Sequence, residues 1–304
     1  GAFSWNVIEP EEGDFDWELS DATMKMAGEA NVEVSAVIYP YSSWASDETT
    51  SRSSCTGIDF VFFDSYAGLP TDMDAYSNFV EKTVERYDGD GEDDMPGLTM
   101  PVTAWEVANE VEGPCSGSLN DAETYLELLK VSYEAIKNTD SDALVLNAGA
   151  LEIADMNGNE ISDTVEFWET FFESGGAEYL DLFNFHYNRE RTEDHEDLSI
   201  WMAHLEFFRD LLDENGFEDT KMWATEYGAY GGTITVNAKS GSTSTLTRTD
   251  EEQASWFFRT AITGMAYGVE RFFVDLKGQD GSGIGSSSLY DQMGETRDFV
   301  DTLK

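Results

Sequence analysis

Seven apolar, strand-like runs, each followed by a segment of helical periodicity, constrain this chain more than any other feature of it. The runs lie at 2–8, 32–39, 102–109, 143–150, 180–187, 221–227 and 271–276, and helix-like segments cover 16–30, 73–87, 121–138, 164–174, 198–215, 251–267 and 289–303. The clearest helical stripe is Met73, Tyr76, Phe79, Val80, Thr83, Val84 and Tyr87, which recurs at the 3.6-residue period of one helix face. Strands alternating with helices indicate βα units and a parallel sheet. No linker or low-complexity tract interrupts the alternation, so residues 1–304 are expected to form a single domain.

A doubly wound sheet could hold seven units. A (β/α)8 TIM barrel lacking its first β/α unit at the N-terminus fits better, because the chain opens inside an apparent strand without an initiator Met. On that reading a segment upstream has been removed. The longest irregular stretches, about 40–70 and 229–250, directly follow strand ends. In a barrel those are loops of the catalytic face.

Charge narrows the class of partner. The chain carries 62 acidic and 17 basic residues, a formal net charge of −45. With no Lys or Arg cluster to neutralise phosphates, a nucleic-acid partner is excluded. At 40 % hydrophobic and 13 % aromatic residues the chain is not a disordered acidic tail. Acidic residues spread evenly, against only eight Lys, fit a protein of a saline habitat, where molar salt shortens the Debye length to about 3 Å. No apolar run approaches the length of a membrane span. A secreted or cell-surface monomer is expected.

Two strands end in a glutamate with a distinctive context: "AWEVANEVEG" ends in Asn109-Glu110, and "KMWATEYGAYGG" carries Glu226. By strand count they fall on the fourth and seventh strands of a complete barrel, which can lean terminal side chains toward each other across the mouth. Retaining glycosidases need such a pair, one carboxyl protonating the leaving oxygen and the other attacking the anomeric carbon. Glu106, on the same strand as Glu110 but without an Asn before it, reads as a structural or supporting residue.

These motifs resemble the catalytic strands of the clan A retaining glycoside hydrolases, closest to the family 39-like and family 5-like barrels. "WEVANE" and "ATEYG" resemble their fourth and seventh strands, and "WNVIEPEEGDFDWELSD" (5–21) the segment after the second. "YPYSSWAS" (39–46) looks like the end of the third, and "NFHY" (184–187) is similar to the sixth. The resemblance implies a hydrolase of β-linked glycosides or polysaccharides, with Glu110 as acid/base, Glu226 as nucleophile and no catalytic cofactor. It implies that Asn109 bonds the sugar 2-hydroxyl and that His186 and Tyr187 line the site. The eighth-strand Trp usual in these enzymes is absent from "RFFVDLKGQDG", leaving Lys277 or Gln279 in its place. An alternative reading is an inactive barrel kept for carbohydrate binding at a cell surface.

Trp44 and Tyr227, aromatic residues near strand ends, suit the faces of sugars. "YDGDGEDDMPG" sets Asp88, Asp90 and Asp94 at positions 1, 3 and 7 of a calcium-type loop, which suggests a structural Ca2+. The pattern lacks the Gly at position 6 and the Glu at position 12, and an acidic turn explains it equally. Cys55 and Cys115 stand in loops as two thiols or as one disulfide, the latter implying secretion. His195 and His204 read as surface or packing residues.

Overall fold

The computed structural model describes residues 1–49, 66–113, 115–155, 158–188, 197–229, 232–237 and 243–274. They fall into two compact units, residues 1–151 with 163–183 and residues 152–162 with 184–304.

The first unit begins with α1 (Trp5–Ile8) and α2 (Glu18–Ala30), followed by β1 (Val34–Ile38), β2 (Glu48–Thr49), β3 (Tyr66–Ala67) and α3 (Met73–Tyr87). Then come β4 (Val102–Val107), α4 (Ala122–Thr139), β5 (Leu144–Leu146) and α5 (Ser162–Glu173, whose first residue belongs to the second unit). Its main sheet has the order β1–β4–β5, both pairs parallel, with Ala36 beside Trp105 and Glu106 beside Leu146. Residue Leu146 also forms a parallel bridge with Leu182. The helices between the strands supply the crossovers that parallel pairing requires. β2 and β3 form a separate antiparallel pair.

The helices form where the periodicity placed them. α3 buries Tyr76, Phe79, Val80, Thr83, Val84 and Tyr87, and the Asp72 side chain caps it by accepting from Ala75 N at 2.9 Å. α4 starts on the same device, Asp121 accepting from Thr124 N at 2.9 Å. The Tyr76 hydroxyl and Ser132 Oγ, 2.9 Å apart, join the two helices inside the core. Trp5 is fully buried, stacked on Phe79 with ring centroids 5.7 Å apart.

The first expected strand is a correction. Residues 2–8 do not form one: Ser4 alone bridges to Tyr39, and Trp5–Ile8 is a helical turn. Val7 N and Ile8 N both donate to Ser4 O, so Trp5 and Ile8, three apart, are buried together.

The second unit contains β6 (Phe183–Asn188, whose first residue closes the first unit), α6 (Ser199–Glu214), β7 (Met222–Gly228), β8 (Gly232–Asn237), β9 (Thr243–Arg248), α7 (Asp250–Ala266) and β10 (Val269–Val274). Its main sheet has the order β6–β7–β10, with β7 and β10 parallel. Tyr187, Trp201, Tyr227, Trp256 and Phe257 form its buried aromatic core. α7 begins with a capping box, Thr249 Oγ1 accepting from Glu252 N while the Glu252 carboxylate accepts from Thr249 N.

The stretch 229–250, expected to be irregular, contains the β8–β9 antiparallel ribbon, paired in register from Gly232–Arg248 to Asn237–Thr243. Alternating Thr, Ile and Val residues are the β-branched types that favour a ladder. The expected helix at 289–303 lies outside the described residues. Each unit is thus an α/β arrangement around parallel strands. Among the described residues, no helix is long and apolar enough to cross a membrane.

Candidate active site

In the first unit, β4 delivers Asn109 and Glu110 through an unusual strand end. Ala108 and Glu110 have φ of +65° and +46°, two left-handed residues that are not glycine. Each such residue costs about 1–2 kcal/mol unless its surroundings hold it, and such conformations cluster at functional sites. The holding bonds are visible. Ala108 N donates to Ile38 O at 2.9 Å, Glu110 N to Ala148 O at 2.6 Å, and Gly113 N to Glu110 O at 2.9 Å. The Tyr125 hydroxyl of α4 donates to Val107 O at 3.1 Å. Asn109 and Glu110 are both half-buried, so the chain leaves the strand with its amide and carboxylate reachable from solvent.

Two residues beyond lies Glu112, buried and not anticipated from sequence. Its Oε1 accepts from Leu151 N at 2.6 Å and from Trp168 Nε1 at 2.8 Å, while Oε2 is buried without a hydrogen-bond partner. Burial pushes this carboxyl up to about 7, against the pull of those bonds; the charge of Glu110 adds to the rise.

Trp44 is half-buried in the same unit. Its indole N–H donates to Glu9 O at 2.9 Å, and its ring meets Trp5 edge-on at 5.1 Å. Glu9 is itself buried, accepting from Trp5 Nε1 and Gly13 N at 2.7 Å each. The "WNVIEP" segment thereby builds the support under Trp44. Glu106 is buried within β4.

The second unit carries Glu226 near the end of β7, with its side chain 36 % exposed. Asn188 Nδ2 on β6 donates to Glu226 Oε2 at 3.3 Å, and His186 Nδ1 lies 3.9 Å from Oε1. Behind them, Glu152 Oε1 accepts from Asn188 N at 2.9 Å, and Asn184 Nδ2 donates to Thr225 Oγ1 at 2.8 Å. Nitrogen-bearing side chains thus address both carboxylate oxygens from the neighbouring strand. This arrangement can aim a carboxylate at an electrophile. Asn188 and Glu152 were missed from sequence; Asn188 shares His186's face two residues on, which the period of a strand makes readable.

Two expected sugar contacts are corrected. Tyr187 and Tyr227 are buried and face the helices. Tyr227 donates its hydroxyl to Phe257 O at 3.1 Å, pairs it with Thr260 Oγ1, and stacks on Trp256 at 5.1 Å. Tyr187 packs on Trp201 at 4.4 Å. The cause is alternation: where Glu226 and His186 look to one side of the sheet, their successors look to the other. His204 is buried amid Phe185, Tyr187, Trp201 and Phe208, a packing histidine.

Asp88, Asp90 and Asp94 each bring one carboxylate oxygen within 4.8 Å of the others, a set of hard donors able to hold a cation. They also satisfy their own turn. Asp94 accepts from Gly89 N and Gly91 N, Asp88 from Asp90 N, and Asp90 from Glu92 N. Burial, with Asp90, Glu85 and Asp94 adding like charge, pushes the Asp88 carboxyl up to about 6. Cys55, His195, Lys277 and Gln279 lie outside the described residues, and with Cys55 the question of a disulfide.

The family model described as beta-galactosidase, for glycoside hydrolase family 42, matches residues 1–37. Among curated proteins, none matches the chain. Among solved structures, a glucosidase from Croceicoccus marinus is similar over 96 % of this chain and 53 % of its own, at 15 % identity and a TM-score of 0.63. A family 39 glycoside hydrolase from Bacteroides cellulosilyticus WH2 is similar over 98 % and 55 %, at 17 % identity and 0.61. A family 39 β-xylosidase from Caulobacter crescentus follows over 99 % and 61 %, at 13 % identity and 0.62. This chain therefore spans between half and two thirds of these enzymes' lengths. At such identities the likeness is one of fold alone, a parallel α/β fold shared with these solved glycoside hydrolases.

Proposed function

We propose that this chain is the catalytic domain of a retaining glycoside hydrolase, acting on β-linked glycosides or polysaccharides by double displacement. The observation that carries the proposal is Glu226, a partly exposed carboxylate near a strand end, with Asn188 bonded to one oxygen and His186 beside the other. In this reading Glu226 attacks the anomeric carbon while Glu110 gives its proton to the leaving oxygen. A covalent glycosyl-enzyme forms; Glu110 then takes a proton from water, which releases the sugar with its configuration retained. Asn109, beside the acid, binds the 2-hydroxyl, and Trp44 offers a ring to the sugar. Neither step transfers electrons to a cofactor.

The 304 residues would work as one domain, in keeping with a (β/α)8 barrel. A saline habitat, supported by the charge of −45, completes the proposal, together with export from the cell.

The test is a panel of aryl β-glycosides and plant or microbial polysaccharides, assayed in molar KCl. Glu226→Ala should abolish turnover, and azide should restore it with formation of the α-glycosyl azide. Glu110→Ala with azide should yield the β-azide instead. Oligosaccharide binding without turnover by the unaltered protein would overturn the proposal and favour a carbohydrate-binding role.

A further inference from the structure

We propose that Glu112 is a positioning residue for Glu110, its buried carboxyl fixing the turn from which Glu110 projects. The inference rests on the reading of Glu110 as acid/base. Glu110 holds φ at +46°, a conformation that an L-residue keeps only when its neighbours over-determine it. One tie is its own N–H on Ala148 O at 2.6 Å. Three residues further along that facing segment, Leu151 N donates to Glu112 Oε1 at 2.6 Å. The two bonds run in opposite directions between the same two stretches, 110–112 and 148–151, so they clamp the turn at both ends. The second rung is supplied by a side chain. The same Oε1 also accepts from Trp168 Nε1 at 2.8 Å, which ties the turn to α5, and Asn120 Nδ2 holds Glu112 O at 2.6 Å.

Stability alone does not account for this choice of residue. Only 7 % exposed, Glu112 leaves Oε2 buried and without a hydrogen bond, an arrangement that an apolar side chain would avoid. What the carboxyl adds is an acceptor that two N–H groups, from two different elements, can share. A general acid must meet the leaving oxygen within hydrogen-bond reach, so a turn that drifts loses the proton transfer before it loses the fold.

The experiment compares kcat/KM on two glycosides of the same sugar, since this ratio reports the steps up to the glycosyl-enzyme. One bears a 2,4-dinitrophenolate leaving group, which departs without a proton; the other bears an unactivated alkyl group, which needs one. Glu112→Ala should lower kcat/KM on the alkyl glycoside by about tenfold or more, part of the 10²–10⁴ that acid catalysis supplies, and on the dinitrophenyl glycoside by less than about threefold. Glu112→Gln, which keeps an oxygen for both N–H groups, should restore the alkyl activity. Trp168→Phe removes one donor and keeps the ring, so it should reproduce the bias more weakly, and it serves where the alanine variant does not fold. Equal losses on both substrates, or no loss, would overturn the proposal. If the unaltered enzyme cleaves neither substrate, or Glu110→Ala shows no leaving-group bias, the acid/base reading itself fails and takes the inference with it.

Discussion

Replacing Glu112 by glutamine removes one titration from the folded protein while keeping an acceptor for Leu151 and Trp168. The wild-type carboxyl titrates near 7 when folded and at its ordinary 4.5 when unfolded, because burial opposes its charge. Below pH 4.5 both states hold the proton and the group is indifferent to folding. As pH rises from there toward 7, the unfolded chain releases its proton and the folded chain keeps it, so stability falls. Above 7 both states are ionised and the loss is complete. Between pH 5 and 8 the difference integrates to about 2–3 kcal/mol lost by the wild type and not by the variant.

Glutamine brings its own cost, since its amide N–H groups replace an oxygen that has no partner; that is about 1–3 kcal/mol but independent of pH. The informative quantity is therefore the change with pH in the difference between the two proteins, in which the many other carboxylates cancel. Urea unfolding of both in molar KCl at pH 5, 6, 7 and 8 measures it. With an m-value of about 2 kcal/mol/M, the variant's midpoint should climb relative to wild type by about 1 M from pH 5 to pH 8. A midpoint difference constant across that range would show that Glu112 titrates as an exposed carboxyl does, and the account of its burial would be wrong.

Other consequences can be tested directly. Asn188→Ala deletes the N–H that reaches Glu226 and should lower kcat by about 10- to 100-fold, the equivalent of about 1.5–3 kcal/mol for a bond to a charged group; an effect on KM alone would refute its role. Tyr227→Phe should destabilise the protein by about 1 kcal/mol, through the lost bond to Phe257 O, and leave KM unchanged, whereas a raised KM would restore Tyr227 as a sugar contact. The melting temperature should rise steadily from about 0.1 M to about 2 M KCl as repulsion among a net 45 negative charges is screened; a flat or falling curve would remove the case for a saline habitat.

Much of the architecture was legible because helices announce themselves over several turns. The α3 stripe from Tyr76 to Tyr87 needed only the spacing of its apolar residues. Short segments were harder. Phe3, Trp5 and Ile8 read as an apolar run compatible with a strand, and only the acceptance of two N–H groups by Ser4 O reveals a helical turn. The β8–β9 ribbon is hard to see in the sequence because a long stretch after a strand resembles a loop, although Thr233, Ile234, Thr235 and Val236 have the residue types of a ladder.

In the second unit one rule makes the side chains around Glu226 legible. Once Glu226 is assigned to the functional side of β7, the period of two sends Tyr227 to the helix side. On β6 it sends Tyr187 away and brings Asn188 to the side of His186. The sequence alone thus contained both the correction and the missed residue. Glu112 is different in kind. Its partners are a backbone N–H 39 positions away and an indole 56 positions away, and nothing local distinguishes it from the exposed acids around it. In a chain with 62 acidic residues, a carboxylate's burial is a property of tertiary packing, invisible to any spacing argument. The residues that shape catalysis without touching substrate are therefore the ones a composition this acidic hides best, and the leaving-group experiment is aimed at one of them.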